Sequence, residues 1–261
     1  LESQSTVLCC TPSYALHLAE VAKRAHLPIL DSHVKSILVA GEPGGSIAAT
    51  RTLIETIWNA SVYDHHGMTE TGPLSYPCPV RKDVLHILED SCLAEVINPD
   101  DLQSIPSTQQ EGELVVTTLD RHGSPVLRYR TGDLVQPLAA PCVCGSHHLS
   151  LLGGIRGRLD DMHIIRGVNI YPSAIEEIVR RFAGAAEYRV LVDELSSLTD
   201  LCLQVELKPD DSAAAIAQTI QRAIRTSMSI RVNVESVAFG SLPRHEMKAR
   251  RWTSVHSLGL A

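Results

Sequence analysis

Apolar runs alternate with amphipathic stretches along the first part of the chain, and their spacing predicts strand, helix, strand, helix, strand. Thr6–Cys10 is a short continuous apolar run, the mark of a buried strand. Thr11-Pro12 then offers an N-cap and a proline for the first helical turn, and apolar positions recur at helical spacing from Ser13 to Ala25. Ser36–Ala40 reads as a second buried strand, GEPGG as the turn after it, and Ile47–Trp58 as a helix. Ser61–Asp64 makes a third strand. Such alternation implies a parallel sheet, in which ligands sit beyond the carboxyl ends of the strands. GEPGG and DHHGMTE both fall there.

After Gly72 the pattern changes to short apolar runs broken by Pro, Asn, Asp and Gly: His86–Leu88, Leu93–Ile97, Glu113–Thr117 and Val126–Arg130. They predict a small antiparallel sheet or barrel ending near Gly153-Gly154. Beyond Gly157, strands are expected at His163–Ile165, Tyr188–Val192, Leu201–Glu206 and Val232–Ala238, with helices at Ser173–Phe182 and Ser212–Met228. Ser173 followed by Glu176 predicts a capping box. The expected fold is therefore α/β plus α+β: part of a doubly wound parallel sheet, a small β-barrel-like subdomain, and a small C-terminal α+β domain. The expected domains are 1–157, divided into 1–77 and 78–157, and 158–261. Gly157–Glu177, GRLDDMHIIRGVNIYPSAIEE, reads as the joint between them.

Composition narrows the function more than the fold. The chain has 261 residues, 44% hydrophobic and 20% charged, as ordinary globular proteins do. A formal net charge of −7 argues against non-specific binding to nucleic acid. No apolar run approaches the about 20 residues that cross a bilayer, and the N-terminus has no signal-peptide pattern. The expectation is a soluble cytoplasmic protein. Seven cysteines at uneven spacing do not suggest a disulfide framework. Cys9, Cys10 and Cys202 lie in apolar runs and are expected to be buried. The chain enters almost at once on an apolar run, as if in mid-domain.

The polar turns carry candidate chemistry. YDHHGMTETG (Tyr63–Gly72) gathers an Asp, two His, Gly, Thr and Glu after a buried strand. Glycine lets backbone N–H groups approach a ligand, and a hydroxyl beside a carboxylate suits Mg²⁺. Asp133 of YRTGDL could accept hydrogen bonds from a sugar diol, as acidic residues do with ribose. Taken singly, each is as readily a polar loop, a turn residue or, for Lys248, a solvated charge. Cys78, His86, Cys142 and Cys144 match the ligand set of a closed tetrahedral zinc site, with His147 and His148 as competing ligands and free thiols in turns as the plain alternative.

Taken together, AGEPG, YDHHGMTETG, GELVVTTLDRHGSPVLRYRTGDL, GRLDDMHIIRGVNIYPSAIEE and LPRHEMKARR resemble the phenylacetate–CoA ligase family of the adenylate-forming acyl-CoA synthetases, from about Thr11 to Arg251. The resemblance implies an ATP-dependent carboxylate–CoA ligase that forms acyl-AMP and then acyl-CoA. It puts Gly41, Glu42 and Pro43 at adenine, and Tyr63, Asp64, Gly67 and Thr69 beside the nucleotide. Glu70 would hold Mg²⁺, Asp133 the ribose hydroxyls, and Arg158 would stand near ribose or phosphate. Asp160 would be the hinge of a mobile C-terminal domain, and Arg166 and Gly167 would line the thiol channel. Lys248 would bridge the substrate carboxylate and the α-phosphate, and the resemblance extends to some family members with a structural zinc. The implied ligands are ATP or AMP, Mg²⁺, coenzyme A and a small aryl or acyl carboxylic acid, with an upstream segment or a second copy as further partners. His66 stands where relatives have Tyr, and no Ser/Thr/Gly-rich phosphate loop precedes Gly41. The other reading is accordingly a non-catalytic nucleotide- or protein-binding remnant.

Overall fold

In a computed structural model, residues 4–105, 110–139, 141–182, 184–193, 199–208, 213–245 and 248–255 are described. The chain divides into two compact units, Leu1–Asp160 and Asp161–Ala261.

The first unit begins with the expected alternation: β1 (Val7–Cys10), α1 (Pro12–Arg24), β2 (Ser36–Val39), α2 (Ala48–Trp58) and β3 (Ser61–Asp64). Thr11 caps α1, its Oγ1 accepting from the Tyr14 N–H at 3.2 Å, with Pro12 in the first turn. Ala15 and Ala19 supply its buried face, and the Trp58 indole N–H donates to the Ala15 carbonyl at 3.0 Å, tying α2 to α1. The strands form a parallel sheet in the order β1-β2-β3. That order contains no reversal among the described strands, so the winding here runs one way only. Successive crossovers in one direction put both helices on one face, and a single core of Ile37, Val39, Ile54, Trp58 and Val62 results.

The expected burial of β1, and of Cys9, Cys10 and Cys202, does not hold. β1 is the edge strand of the described sheet, so it is not buried: Val7 is 54% exposed and Cys9 is exposed. Cys10 and Cys202 are only half-buried.

Next come the two-residue strands β4 (Gly67–Met68) and β5 (Gly72–Pro73), then β6 (Ser75–Pro77), β7 (Val84–Ile87), β8 (Cys92–Ile97), β9 (Gly112–Thr118), β10 (Tyr129–Pro137) and β11 (Ser150–Arg158). β6 to β11 make one six-stranded sheet in the order β6-β7-β11-β10-β9-β8. Its edges, β6 and β8, are not paired with each other, so the sheet is open rather than a closed barrel. Register shifts along β10 bend it. The strand expected at Val126–Arg130 starts instead at Tyr129, because Arg128 has a left-handed backbone (φ 45°).

The second unit contains β12 (His163–Ile165), β13 (Val168–Ile170), α3 (Pro172–Arg180), β14 (Ala185–Asp193), β15 (Asp200–Leu207), α4 (Ala213–Met228), β16 (Asn233–Val237) and β17 (Trp252–Ser254). Ser212, the expected start of the last helix, lies outside the described residues. β12 and β13 form a separate hairpin, and the remaining strands a four-stranded sheet in the order β16-β15-β14-β17. Ile175, Ile178 and Val179 of α3 and Ile220 and Ile224 of α4 pack on Val190, Leu203 and Val205 of the sheet. The expected Ser173–Glu176 capping box does not form. Pro172 starts the helix after Tyr171, no side chain caps it, and Glu176 is buried among cations instead.

Candidate functional site

β2 and β3 are parallel neighbours, with Val39 opposite Asp64, so the turns leaving them are adjacent. Gly41, Glu42 and Pro43 follow β2, and Tyr63 and Asp64 close β3. Glu42 accepts from the Ser13 N–H at 2.7 Å, which puts its carboxylate at the N-terminus of α1. Tyr63 is 43% exposed. Asp64 turns inward, where its Oδ2 accepts from the Ser46 hydroxyl and its Oδ1 from the His65 N–H at 3.0 Å. Burial pushes the Asp64 carboxyl upward from its ordinary value, against the pull of the Ser46 and His65 hydrogen bonds. A Cβ on Gly45 would stand 2.5 Å from Asp64 Oδ1 and 2.6 Å from Val39 Cγ2, so only glycine fits between loop and strand.

The His65-His66 pair is sewn to β6: His65 Nδ1 lies 2.8 Å from the Ser75 carbonyl, and the His66 N–H donates to Ser75 Oγ at 2.9 Å. Gly67 lies in β4, and Thr69 and Glu70 are exposed in the turn between β4 and β5. Arg121 holds that turn by donating to the Thr69 carbonyl at 3.0 Å.

From the neighbouring sheet, β10 and β11 bring Asp133 opposite Arg158. Asp133 is 3% exposed, and each carboxylate oxygen has its own partner: His66 Nε2 at 2.9 Å on Oδ2 and Arg158 Nη1 at 3.3 Å on Oδ1. An ionised carboxylate only accepts, so the imidazole proton sits on Nε2. His66 Nδ1 is buried with no partner among the described residues. Arg158 also forks onto Asp160 at 2.8 and 3.0 Å, and this guanidinium lowers the Asp160 carboxyl from its ordinary value. The structure thus joins Asp133, Arg158 and Asp160 in one cluster and adds His66. Its imidazole could have been suspected only from its departure from the family pattern.

A second cluster lies where β6, β7 and the connection between β10 and β11 meet. Cys78, His86, Cys142 and Cys144 have their ligand atoms within 4.8 Å of one another. Cys78 Sγ and Cys142 Sγ are 3.6 Å apart, and Cys144 Sγ and His86 Nε2 3.3 Å. Ligands about 2.0–2.3 Å from a tetrahedral zinc sit roughly 3.3–3.8 Å from each other, so these contacts fit. The Ser150 hydroxyl donates to the His148 carbonyl and therefore accepts from His86 Nδ1 at 3.1 Å. That fixes the tautomer whose bare Nε2 faces the thiols. Burial, followed by His148, pulls the His86 imidazole down and keeps it neutral, the state a metal takes. Burial alone would raise Cys78, but the N–H groups of Arg81 and Val80 and the neighbouring thiols bring it below the ordinary thiol value. Of the competing ligands, His147 is exposed and His148 is taken up by Tyr76, whose hydroxyl lies 3.1 Å from its Nδ1.

In the second unit, Arg166 and Gly167 are the two central residues of the β12–β13 turn, with Ile165 opposite Val168. Both have positive φ, 51° and 82°, as a type I′ hairpin turn requires. Arg166 pairs with Asp200 at 2.7 Å. Lys248 is exposed, in the segment between β16 and β17.

The first unit thus holds a one-way parallel sheet, an open antiparallel sheet and a buried Asp133 carboxylate paired with a part-exposed Arg158, and the second is a small α+β unit. The family described as AMP-binding enzyme C-terminal domain matches residues 167–254. Phenylacetate-coenzyme A ligase of Thermus thermophilus is 31% identical over 92% of this chain and 58% of its own length. That of Escherichia coli is 32% identical over 95% of this chain and 57% of its own. The crystal structure of 2-hydroxyisobutyryl-CoA ligase in the postadenylation state, in complex with R3-HIB-AMP, superposes with a TM-score of 0.92. It is 31% identical and covers 98% of this chain and 56% of its own. The chain belongs to the adenylate-forming acyl-CoA ligase superfamily and, over the matched region, is phenylacetate–CoA ligase-like. It spans about half the length of these relatives. Among the described residues no helix is long and apolar enough to cross a membrane.

Proposed function

We propose that the chain is the nucleotide- and thiol-handling part of an AMP-forming carboxylate–CoA ligase acting on a small aryl or acyl acid. The observation that carries this is the buried Asp133 carboxylate paired with Arg158, in a chain about one-third identical to phenylacetate–CoA ligases over most of its length. In the first half-reaction a carboxylate oxygen attacks the α-phosphorus of ATP, forming the acyl phosphate bond and releasing pyrophosphate. In the second, the sulfur of coenzyme A attacks the acyl carbon and AMP leaves.

Asp133 accepts from the ribose hydroxyls, with Arg158 beside ribose or phosphate. Gly41, Glu42 and Pro43 line the adenine side, and Tyr63, Asp64, Gly67 and Thr69 flank the nucleotide. Asp64 acts by holding the Gly41–Ser46 turn through Ser46. Lys248 reaches the carboxylate and the α-phosphate, where its ammonium offsets the repulsion of two anions. Glu70 and the Thr69 hydroxyl are exposed hard oxygen donors of the kind Mg²⁺ takes; the bound ion would screen phosphate charge. Asp160, the last residue of the first unit, is the hinge of a mobile second unit, and the Arg166-Gly167 turn serves the thiol step. Cys78, His86, Cys142 and Cys144 hold a structural zinc away from the chemistry.

The test is acid-dependent ATP–pyrophosphate exchange by the full-length protein with a panel of aryl and short acyl acids. Lys248→Ala should slow acyl-AMP formation about 100-fold or more and leave thiolysis of supplied acyl-AMP nearly unchanged. AMP binding without exchange for any acid would mean a nucleotide-binding protein that is not a ligase.

A further inference from the structure

The second unit buries charged groups that the chemistry above does not use. Glu187 in β14 and Glu206 in β15 stand directly opposite each other in the ladder, at 7% and 0% exposure. Two carboxylates facing across a strand pair repel, and burial removes the water that would screen them. Each is instead met by an arginine from the tail. Arg251 forks onto Glu187 at 2.7 and 3.1 Å and reaches Glu176 at 3.3 Å. Arg244 Nη2 donates to Glu206 Oε2 at 2.7 Å, while the Leu242 N–H donates to its Oε1. Arg180 completes the group, at 3.0 Å from Glu176 and 3.6 Å from Glu187.

The tail arginines flank Lys248 in the sequence. Beyond it the backbone enters the sheet at once: the Val190 N–H donates to the Arg251 carbonyl at 2.7 Å, and β17 pairs with β14 from Trp252. Before it, Leu242 and Arg244 are fastened to β15. Both ends of the segment are therefore drawn to one spot, the Glu187–Glu206 pair. Buried ion pairs commonly add little stability over apolar side chains of the same size, so what such a group contributes is geometry.

We propose that Arg244 and Arg251 are positioning residues, which with Glu206 and Glu187 clamp the segment carrying Lys248 so that its ammonium is presented in one place. This rests on the reading of Lys248 as the adenylation lysine. The clamp acts in the adenylation half-reaction and not in thiolysis.

The test replaces the Arg244–Glu206 pair by apolar residues, Arg244→Met with Glu206→Leu, in the full-length protein. Arg251→Lys, which keeps the charge but loses the fork, is a second variant less prone to misfold. With melting near that of the parent, either variant should lower ATP–pyrophosphate exchange, by up to about 100-fold, and leave thiolysis of supplied acyl-AMP within twofold or so. Added to Lys248→Ala, either should cause no further loss of exchange. Unchanged exchange, equal loss in both half-reactions, or losses that add to that of Lys248→Ala would overturn the clamp. If Lys248→Ala itself leaves exchange intact, the assignment of Lys248 fails and the clamp with it.

Discussion

Gly45 and His66 show how narrow the tolerances are around the first-unit cluster. A methyl group on Gly45 would overlap both Asp64 and Val39, so Gly45→Ala is expected to cost about 1–3 kcal/mol. Gly123, where an added methyl group would meet nothing within 4 Å, serves as the control: Gly123→Ala should stay within about 0.5 kcal/mol. Urea unfolding of the two variants measures the difference, and equal midpoints would refute the close approach at Gly45. His66 donates to a carboxylate that is almost wholly buried. His66→Phe leaves that oxygen without its donor and should destabilise the first unit by about 1–3 kcal/mol. His66→Gln, with a donor of its own, should recover part of the loss.

At the scale of elements, the cysteine–histidine cluster ties the turn after β6 and the middle of β7 to the long connection between β10 and β11. Those segments are distant in sequence, and besides the cluster they meet in a short ladder, Ser150–Leu152 against Val84–His86, and where the Tyr76 hydroxyl touches Ser146 and His148. A bound zinc would therefore act as a cross-link whose binding energy becomes folding energy. Elemental analysis of the purified protein should find close to one zinc per chain, roughly as four-ligand structural sites hold it. Cys144→Ser should lower both zinc content and melting temperature. Full zinc occupancy in the Cys142→Ser/Cys144→Ser double variant would show that the metal sits elsewhere.

Across the whole chain, the two units differ in how they meet acid. Buried Glu176 would be pushed up by desolvation, but Arg251 and Arg180, helped by the Tyr188 hydroxyl, bring it from an ordinary 4.5 to about 2. Glu187 is lowered by the same arginines acting against its burial. Because the folded-state value lies below the unfolded one, this stabilisation is complete above about pH 4.5 and is lost as pH falls towards about 2. Asp64, raised by burial, has the opposite sign: keeping it charged costs the first unit stability above its folded-state value, and acid relieves that cost. The lowered Asp83 and Asp160 of that unit have part-exposed side chains, so water screens their pairs with Arg81 and Arg158. Trp252 fluorescence, reporting on the second unit, should thus change at a higher pH than the Trp58 signal of the first. Coincident transitions would mean that the buried arginine–glutamate group does not govern acid unfolding.

Much was legible in the sequence by itself. Local periodicity located α1, α2, β2 and β3, and the alternation of strand and helix required a parallel sheet with GEPGG and DHHGMTE at its carboxyl end. The spacing of Cys78, His86, Cys142 and Cys144 suggested a ligand set before any geometry did. What periodicity cannot carry is which distant positions meet. Edge or centre depends on neighbours, so TVLCC read as buried although it forms an edge strand. Glu176 looked like a cap from its distance to Ser173, yet Arg180, Arg251 and Tyr188 claim it from inside. The partners of Asp133 come from β11 and from the turn after β3, and no local pattern links His66 to either. The pairing of Glu187 with Glu206, and with it the convergence of Arg244 and Arg251 on one spot, follows from a single register of β14 against β15. Side-chain periodicity determines which face a residue takes, whereas the tertiary structure decides what lies opposite, because strand register is set by the packing of the whole core.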